Sequence, residues 1–410
     1  MKTALLFPGQ GSQYAGMGKA LYDRYDTARR TFEEASDTIG YSVSKLCFDG
    51  TKEDLTRTDR AQPCILTVSM AAFRVLNEHM ELEPFYYAGH SLGEFSALAA
   101  SGALGFADAV RLVTARGRLM HESQLQGEGG MIAVHGLEVP MLEEECARPE
   151  YRGAAVVSNL NLAGQTVISG RRASLAGLKE RLASHGADIV ELQVGAAFHS
   201  PLMKEASIRF KDELSRVSFG PMRGSVLSNV TARPYPDSGS IPALLAEQMV
   251  SVVDWRGCMQ YLFARETRRM IEAGPGATLG NMLRRDPSTS CLLASTDREA
   301  DWRSLVGDGK RPPREADIGR MLKEALCARN DNHNDSASEY KQRISAPFAE
   351  LKRLAQLERE GAALPSEAEH IALQALEQVL DAKMTPSAQR QEIMNRLVQE
   401  GGIRLHVQYA

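Results

Sequence analysis

No stretch of this 410-residue chain approaches the ~18 uninterrupted apolar residues of a membrane-crossing helix, which excludes a helical membrane protein. The apolar start, Met1 to Pro8, breaks into Gly9-Gln10-Gly11 too early for an export signal and reads as a buried first strand. Cysteine is sparse and scattered: six residues, at 47, 64, 146, 258, 291 and 327, with no C-x-x-C and no Cys/His cluster. That excludes a zinc framework and a disulfide scaffold, and it points to a reducing cytosol with packed thiols. Asn229-Val230-Thr231 fits a glycosylation acceptor but carries no meaning in such a setting. Neither sign of charge is in excess: 48 basic against 52 acidic residues leave −4. A dedicated nucleic-acid binder is therefore disfavoured, although a local basic patch is compatible with that sum.

What is present divides the chain. From residue 301 onward 33 of 110 residues are charged and 6 are glycine, against 67 and 28 in the first 300. The first part thus reads as a turn-rich α/β body, the last as helices, and the length fits two or three domains at ~100–200 residues each. In the body, the strand Thr3–Phe7, a helix over Gly18–Ala35, a helix over Thr67–His79, the strand Phe85–Ala88 and a helix over Glu94–Ser101 alternate. This rhythm implies a mostly parallel sheet covered by helices. Strands at Met131–Val134, Ala154–Asn159, Gln165–Ser169 and Ile189–Val194, with helices at Val139–Ala147 and Ala173–His185, give β-α-β-β-α-β, the order of a ferredoxin-like unit. After a linker over 296–313 the tail shows apolar faces (Ile318, Met321, Leu322, Ala325, Leu326; Ile344, Phe348, Leu351, Ala355, Leu357). It also shows a capping box, Ser366 with Glu369, a helix start at Thr385-Pro386, and a polar, mobile stretch over Asn330–Ser338.

The strongest local signal is Gly89-His90-Ser91-Leu92-Gly93, a G-x-S-x-G between strand and helix. Glycines permit the sharp turn, the serine is exposed above the sheet, and the free N–H of Leu92 makes half an oxyanion hole. The expected architecture is α/β. A large α/β-hydrolase-like subdomain (1–128 and 196–295) carries an inserted ferredoxin-like subdomain (129–195), and an α-helical C-terminal extension follows (314–410). A serine needs a base, and spacing does not choose among nine histidines. His90 adjoins the serine but should point away from it. His199 lies in a loop, a setting that suits surface or packing as well as catalysis.

Six motifs occur in order: Phe7-Pro8-Gly9-Gln10-Gly11-Ser12-Gln13, Gln62-Pro63, the Gly89–Glu94 elbow, Arg116-Gly117, Phe198-His199-Ser200-Pro201-Leu202-Met203 and Glu272-Ala273-Gly274-Pro275-Gly276. Over about residues 1–295 this resembles the malonyl-CoA:acyl carrier protein transacylase family. The tail is similar to that of discrete, trans-acting members in hybrid lipopeptide–polyketide clusters. The resemblance implies Ser91 as nucleophile, His199 as general base oriented by a backbone carbonyl of Gln248, and Gln10 and Leu92 as oxyanion donors. It implies that Arg116 grips the malonyl carboxylate, a task that suits a planar, always-charged fork; Arg111 and Arg118 read as solvated. Gln62, Phe198 and Met120 fall at the acyl pocket, with core packing equally open for Met120, and Phe198 favours malonyl over methylmalonyl. Ala196 departs from the histidine of many polyketide members. Arg284 and Arg285 resemble a contact for an acidic carrier protein, and an ordinary surface pair fits equally well.

The implied reaction is ping-pong transfer from malonyl-CoA to a carrier phosphopantetheine thiol, cytoplasmic, with no metal or redox cofactor. An editing hydrolase, a transferase for another dicarboxylic extender, and a docking subunit of a megasynthase are the competing readings. Arg116 and Phe198 oppose the first two, and the intact site opposes a purely non-catalytic third.

Overall fold

The computed structural model describes residues 2–80, 82, 84–125, 127–162, 164–306, 317–332, 335–359 and 368–401. They fall into two compact units, one drawn from segments 2–17 and 50–306, the other from 18–49 and 317–401. Among the described residues the strands are β1 Thr3–Phe7, β2 Tyr86–Gly89, β3 Gly129–His135, β4 Ala155–Leu160, β5 Gln165–Arg171, β6 Asp188–Glu191, β7 Ser225–Val226, β8 Arg269–Glu272 and β9 Leu292–Ser295.

In the first unit a parallel sheet runs β7-β2-β1-β8-β9. All five residues of β1 are buried, and Ala4 to Phe7 are apolar, as expected of a strand covered on both faces of a parallel sheet. Leu6, Ala88, Trp255, Met259, Leu262, Met270 and Leu283 pack into one core. Phe7 pairs with Gly89, so β1 and β2 end together. The carboxyl ends of parallel strands are where such sheets build their sites. The second sheet is antiparallel, β4-β5-β3-β6. Helices Val139–Cys146 and Arg172–Ser184 complete β-α-β-β-α-β over a core of Ile132, Val134, Leu142, Ile168, Leu178 and Leu182.

The structure departs from the sequence reading at several places. The helix expected over Gly18–Ala35 is two helices, Lys19–Arg24 and Asp26–Ile39, parted at Tyr25, whose backbone is extended (φ −127°, ψ 123°). The break lets Tyr22 stack edge-on against Phe32 and Phe48, with centroids 5.6 and 5.2 Å away. The helix expected to begin at Thr67 runs Thr58–Met80 and accommodates Pro63. Of the supposed linker, residues 299–306 form the helix Glu299–Val306 with Trp302 buried. Residues 307–313, like Ser366 of the capping box, lie outside the described residues. All six cysteines are free thiols, five of them buried.

The second unit joins residues 18–49, assigned from sequence to the catalytic body, with the helices Asp317–Cys327, Ala337–Arg359, Ala368–Ala382 and Ser387–Gly401. Ile318, Met321, Ala325, Ile344, Leu351, Leu376, Leu380, Ile393 and Leu397 form its core. At its centre Lys383, fully buried, lies 3.4 Å from Asp37 and donates to the Ala328 carbonyl at 3.1 Å. Tyr340 donates to Asp37, Tyr22 to Glu33, and the Asn330 N–H to Glu33 at 3.2 Å. Burial pushes the Glu33 carboxyl up to about 8 and raises Asp37 as well. Asn330 and Asn332, placed from sequence in a mobile loop, are buried, and Asn332 donates to the Ala382 carbonyl at 2.8 Å. Asn332 thus closes a helix end, and Asn330 Nδ2 donates to Asp37 at 3.4 Å, so their polarity is met inside the unit.

Candidate active site

The sharp turn after β2 explains both glycines of the elbow. A Cβ on Gly89 would sit 1.9 Å from the Gly93 carbonyl carbon, and one on Gly93 would sit 2.0 Å from the Phe7 oxygen. Between them Ser91 adopts a left-handed backbone, φ 51°, a conformation that costs ~1–2 kcal/mol for a residue with a side chain. Asn229 braces the turn. Its Oδ1 accepts the Ser91 N–H at 2.7 Å and its Nδ2 donates to the Gly89 carbonyl at 2.8 Å. Leu92, buried, stands immediately before the helix Gly93–Ala100, where backbone N–H groups have no intrahelical acceptor.

His199 reaches the serine from 108 residues away, its Nε2 lying 2.8 Å from Ser91 Oγ. It too has a left-handed backbone, φ 56°. The neighbours hold that strain in place: Ser169 Oγ donates to the Phe198 carbonyl at 2.6 Å, and Ser200 Oγ donates to the Ala197 carbonyl at 2.6 Å. Strained residues persist only where surrounding contacts over-determine them. His199 Nδ1 faces the Gln248 backbone carbonyl at 2.8 Å. A carbonyl only accepts, so Nδ1 carries the proton and Nε2 presents its lone pair to the serine. Burial, and then the Arg116 charge, hold the imidazole down at about 3. It is therefore neutral, and free to take a proton, throughout the ordinary pH range.

Arg116 comes from the helix Phe106–Leu125. Gly117 explains the approach of that helix to the start of Thr58–Met80, since a Cβ there would lie 2.7 Å from the Thr58 carbonyl oxygen. Arg116 is 1% exposed, whereas the Arg111 and Arg118 side chains are 54% and 53% exposed and pair with Asp108 and Glu122, as expected of solvated residues. Arg116 Nη1 donates to Gln62 Oε1 at 3.0 Å, and Nη2 donates to Gln248 Oε1 at 2.9 Å and to Ser91 Oγ at 3.1 Å. Because Ser91 Oγ accepts from Arg116, its own hydrogen is directed toward His199. Among the described residues the buried Arg116 Nε–H has no hydrogen-bond partner. A fully desolvated guanidinium with a spare donor is suited to an anionic guest.

The remaining candidates are placed as follows. Gln62 Nε2 donates to Met120 Sδ at 3.2 Å, and both residues are buried. Phe198 is buried next to His199 in sequence. Gln10 lies in the turn after β1 and donates to Thr58 Oγ1 at 3.2 Å. A Cβ on its neighbour Gly9 would sit 2.4 Å from the His90 carbonyl oxygen, so this turn abuts the elbow. His90 points to Asn161 Oδ1 at 2.9 Å rather than to the serine. Arg284 and Arg285 are exposed in the last turn of the helix Thr278–Arg285, where Arg284 donates to Asn281 at 3.3 Å. Three buried residues escaped the sequence reading: Glu94, Asn229 and Tyr235. Glu94 was visible only as the last residue of the elbow motif, with no role assigned. Asn229 was visible only as a glycosylation match, and Tyr235 carried no signal.

A serine on a strand–turn–helix corner, set between the unprotonated nitrogen of a histidine and a buried arginine, defines an elbow-type α/β protein of the acyl-transfer class. The chain belongs to the acyl transferase domain family, which matches residues 4–311. It is 34% identical to a malonyl CoA-acyl carrier protein transacylase of Bacillus subtilis over 95% of this chain and 99% of that protein, a span that extends well beyond residue 311. A second such transacylase, from Bacillus subtilis strain 168, is 39% identical over 73% of this chain and 94% of its own length. Among solved structures, a type II polyketide synthase acyl-carrier protein in complex with its malonyl-transacylase matches with TM-score 0.72. That match has 31% identity and covers 75% of this chain and all of that one.

Proposed function

We propose that this chain transfers malonyl from malonyl-CoA to the phosphopantetheine thiol of an acyl carrier protein through a malonyl ester on Ser91. The observation that carries the reading is the single oxygen, Ser91 Oγ, held at 2.8 Å from His199 Nε2 and 3.1 Å from Arg116 Nη2. Its proton passes to His199 as the oxygen adds to the thioester carbonyl. The oxyanion is received by the backbone N–H groups of Leu92 and Gln10, each worth about 3 kcal/mol of barrier. Collapse expels the coenzyme A thiolate, which takes the proton back from His199. In the second half His199 deprotonates the carrier thiol, the thiolate attacks the seryl ester, and Ser91 is restored. A backbone carbonyl, in place of a carboxylate, orients His199 through its Nδ1–H.

Arg116 grips the free carboxylate of the acyl group, with Gln62 and Gln248 holding its plane. Phe198 and Met120 bound the acyl pocket and leave little space for an extra methyl. The exposed Arg284 and Arg285 supply basic contacts for an acidic carrier protein in the cytosol. The extended length shared with one relative supports a discrete, trans-acting enzyme of polyketide or hybrid peptide–polyketide synthesis. The test is intact-mass analysis after mixing with malonyl-CoA: a single malonyl adduct that maps to Ser91 and vanishes in Ser91→Ala. An adduct that persists in that variant overturns the assignment.

A further inference from the structure

The reaction as derived makes no use of Glu94, yet this carboxyl is fully buried immediately behind the nucleophile. Tyr235 OH donates to its Oε1. The Asn229 N–H and Gln248 Nε2 donate to its Oε2 at 3.1 and 2.7 Å. Three donors converge on one carboxyl, the environment of an acceptor-only, ionised group. Leaving such a group buried is costly unless those bonds and a nearby opposite charge offset it. Burial raises the carboxyl to about 7 against these contacts and the Arg116 charge. In return, Glu94 counters the burial that brings Arg116 down to about 10.

Gln248 links the two charges. Its Nε2 donates to Glu94 and, at 3.0 Å, to the Ser91 carbonyl, and its Oε1 accepts from Arg116 Nη2 at 2.9 Å. A flipped amide would set oxygen against the carboxylate and the carbonyl, and N–H against the guanidinium. Glu94 therefore selects the orientation that hands an acceptor to Arg116. We propose that Glu94 is a positioning residue for acyl selectivity: acting through the Gln248 amide, it fixes the Arg116 guanidinium in the plane that receives a carboxylate-bearing acyl group. This rests on the reading of Arg116 as the carboxylate clamp.

The test measures Ser91 acylation of the full-length enzyme by malonyl-CoA and by acetyl-CoA, in rapid-quench time courses read by intact mass. Glu94→Gln keeps the volume but puts an amide N–H among three donors. We expect malonyl kcat/KM to fall about tenfold or more, mostly through KM, with acetyl loading falling far less; contacting residues couple over this range. A merely structural role lowers both substrates alike. Gln248→Leu retains the backbone carbonyl that holds His199 and should lose malonyl preference to the same degree, with Glu94→Gln adding about twofold or less in the double variant. Equal losses for both substrates, an unchanged preference in Glu94→Gln, or multiplicative losses in the double variant overturn the proposal. Should Glu94→Gln fail to fold, an unchanged preference in Gln248→Leu overturns it alone. Arg116→Ala, run alongside, separates the two ideas: retained malonyl preference there refutes the clamp itself.

Discussion

Replacing Arg116 with alanine offers the sharpest quantitative prediction. In the free protein the guanidinium is 1% exposed, and its two Nη atoms are occupied by Gln62, Gln248 and Ser91 while Nε is unpartnered. In the proposed role, an incoming malonyl carboxylate would complete a desolvated, hydrogen-bonded ion pair. Truncating one side of such a pair costs about 2–5 kcal/mol. At ~1.4 kcal/mol per decade of rate, malonyl-CoA kcat/KM should fall roughly 30- to 5,000-fold. Acetyl-CoA presents no carboxylate, so its loading should hold or rise as an unmatched buried charge leaves the pocket. The perturbation is clean only if Ser91 and His199 keep their contact, and sustained acetyl loading reports that directly. The assay is rapid-quench acylation of Ser91 by each thioester, with thermal unfolding as the control for folding. A variant that retains malonyl kcat/KM within about threefold, well short of the smallest loss expected, refutes the carboxylate clamp.

Other perturbations follow from the same geometry. His199 is held neutral down to about 3, so acetyl-CoA loading should persist as pH falls through 6.5 and decline only well below it. A pH–rate limb at the ordinary imidazole value contradicts the burial that lowers it. Asn229→Ala removes both braces of the elbow and should slow Ser91 acylation for both thioesters alike, with loss of folding stability of about 1–3 kcal/mol by denaturant titration. An unchanged acylation rate in a folded variant contradicts the brace. Lys383→Ala removes the cation beside Asp37 in a buried cluster and should destabilise the protein by about 3–5 kcal/mol, visible as an early unfolding transition. Deleting residues 308–410 strips Lys383 and Tyr340 from Asp37. It should give insoluble or partly unfolded protein, and a truncated chain as stable as the full one contradicts the shared core.

The parts legible in the sequence are those governed by local rules. β1 is a bare apolar run, the elbow is written in its two glycines, and the tail faces follow helical spacing, so Ile318, Met321 and Ala325 are indeed buried. Arg116 could be told from Arg111 and Arg118 only by resemblance, because all three lie on one helix and tertiary packing alone decides which is desolvated. Tyr25 breaks a helix for the sake of an aromatic cluster closed by Phe48, which no local propensity records. The union of residues 18–49 with the tail rests on contacts such as Asp37 with Tyr340, 303 residues apart, beyond any window of periodicity. Glu94 escaped for a related reason. Nothing in the elbow motif shows that its glutamate is buried, and only the arrival of Asn229, Tyr235 and Gln248 from elsewhere makes it a hub.

The central claim is that the Ser91 ester is handed to a carrier thiol and not to water. The direct measurement is to preload the enzyme with labelled malonyl, remove coenzyme A, and follow the label with and without a phosphopantetheinylated acyl carrier protein. The expected result is a malonyl-enzyme that persists alone and discharges rapidly onto the carrier. Rapid release of free malonate without carrier would contradict it.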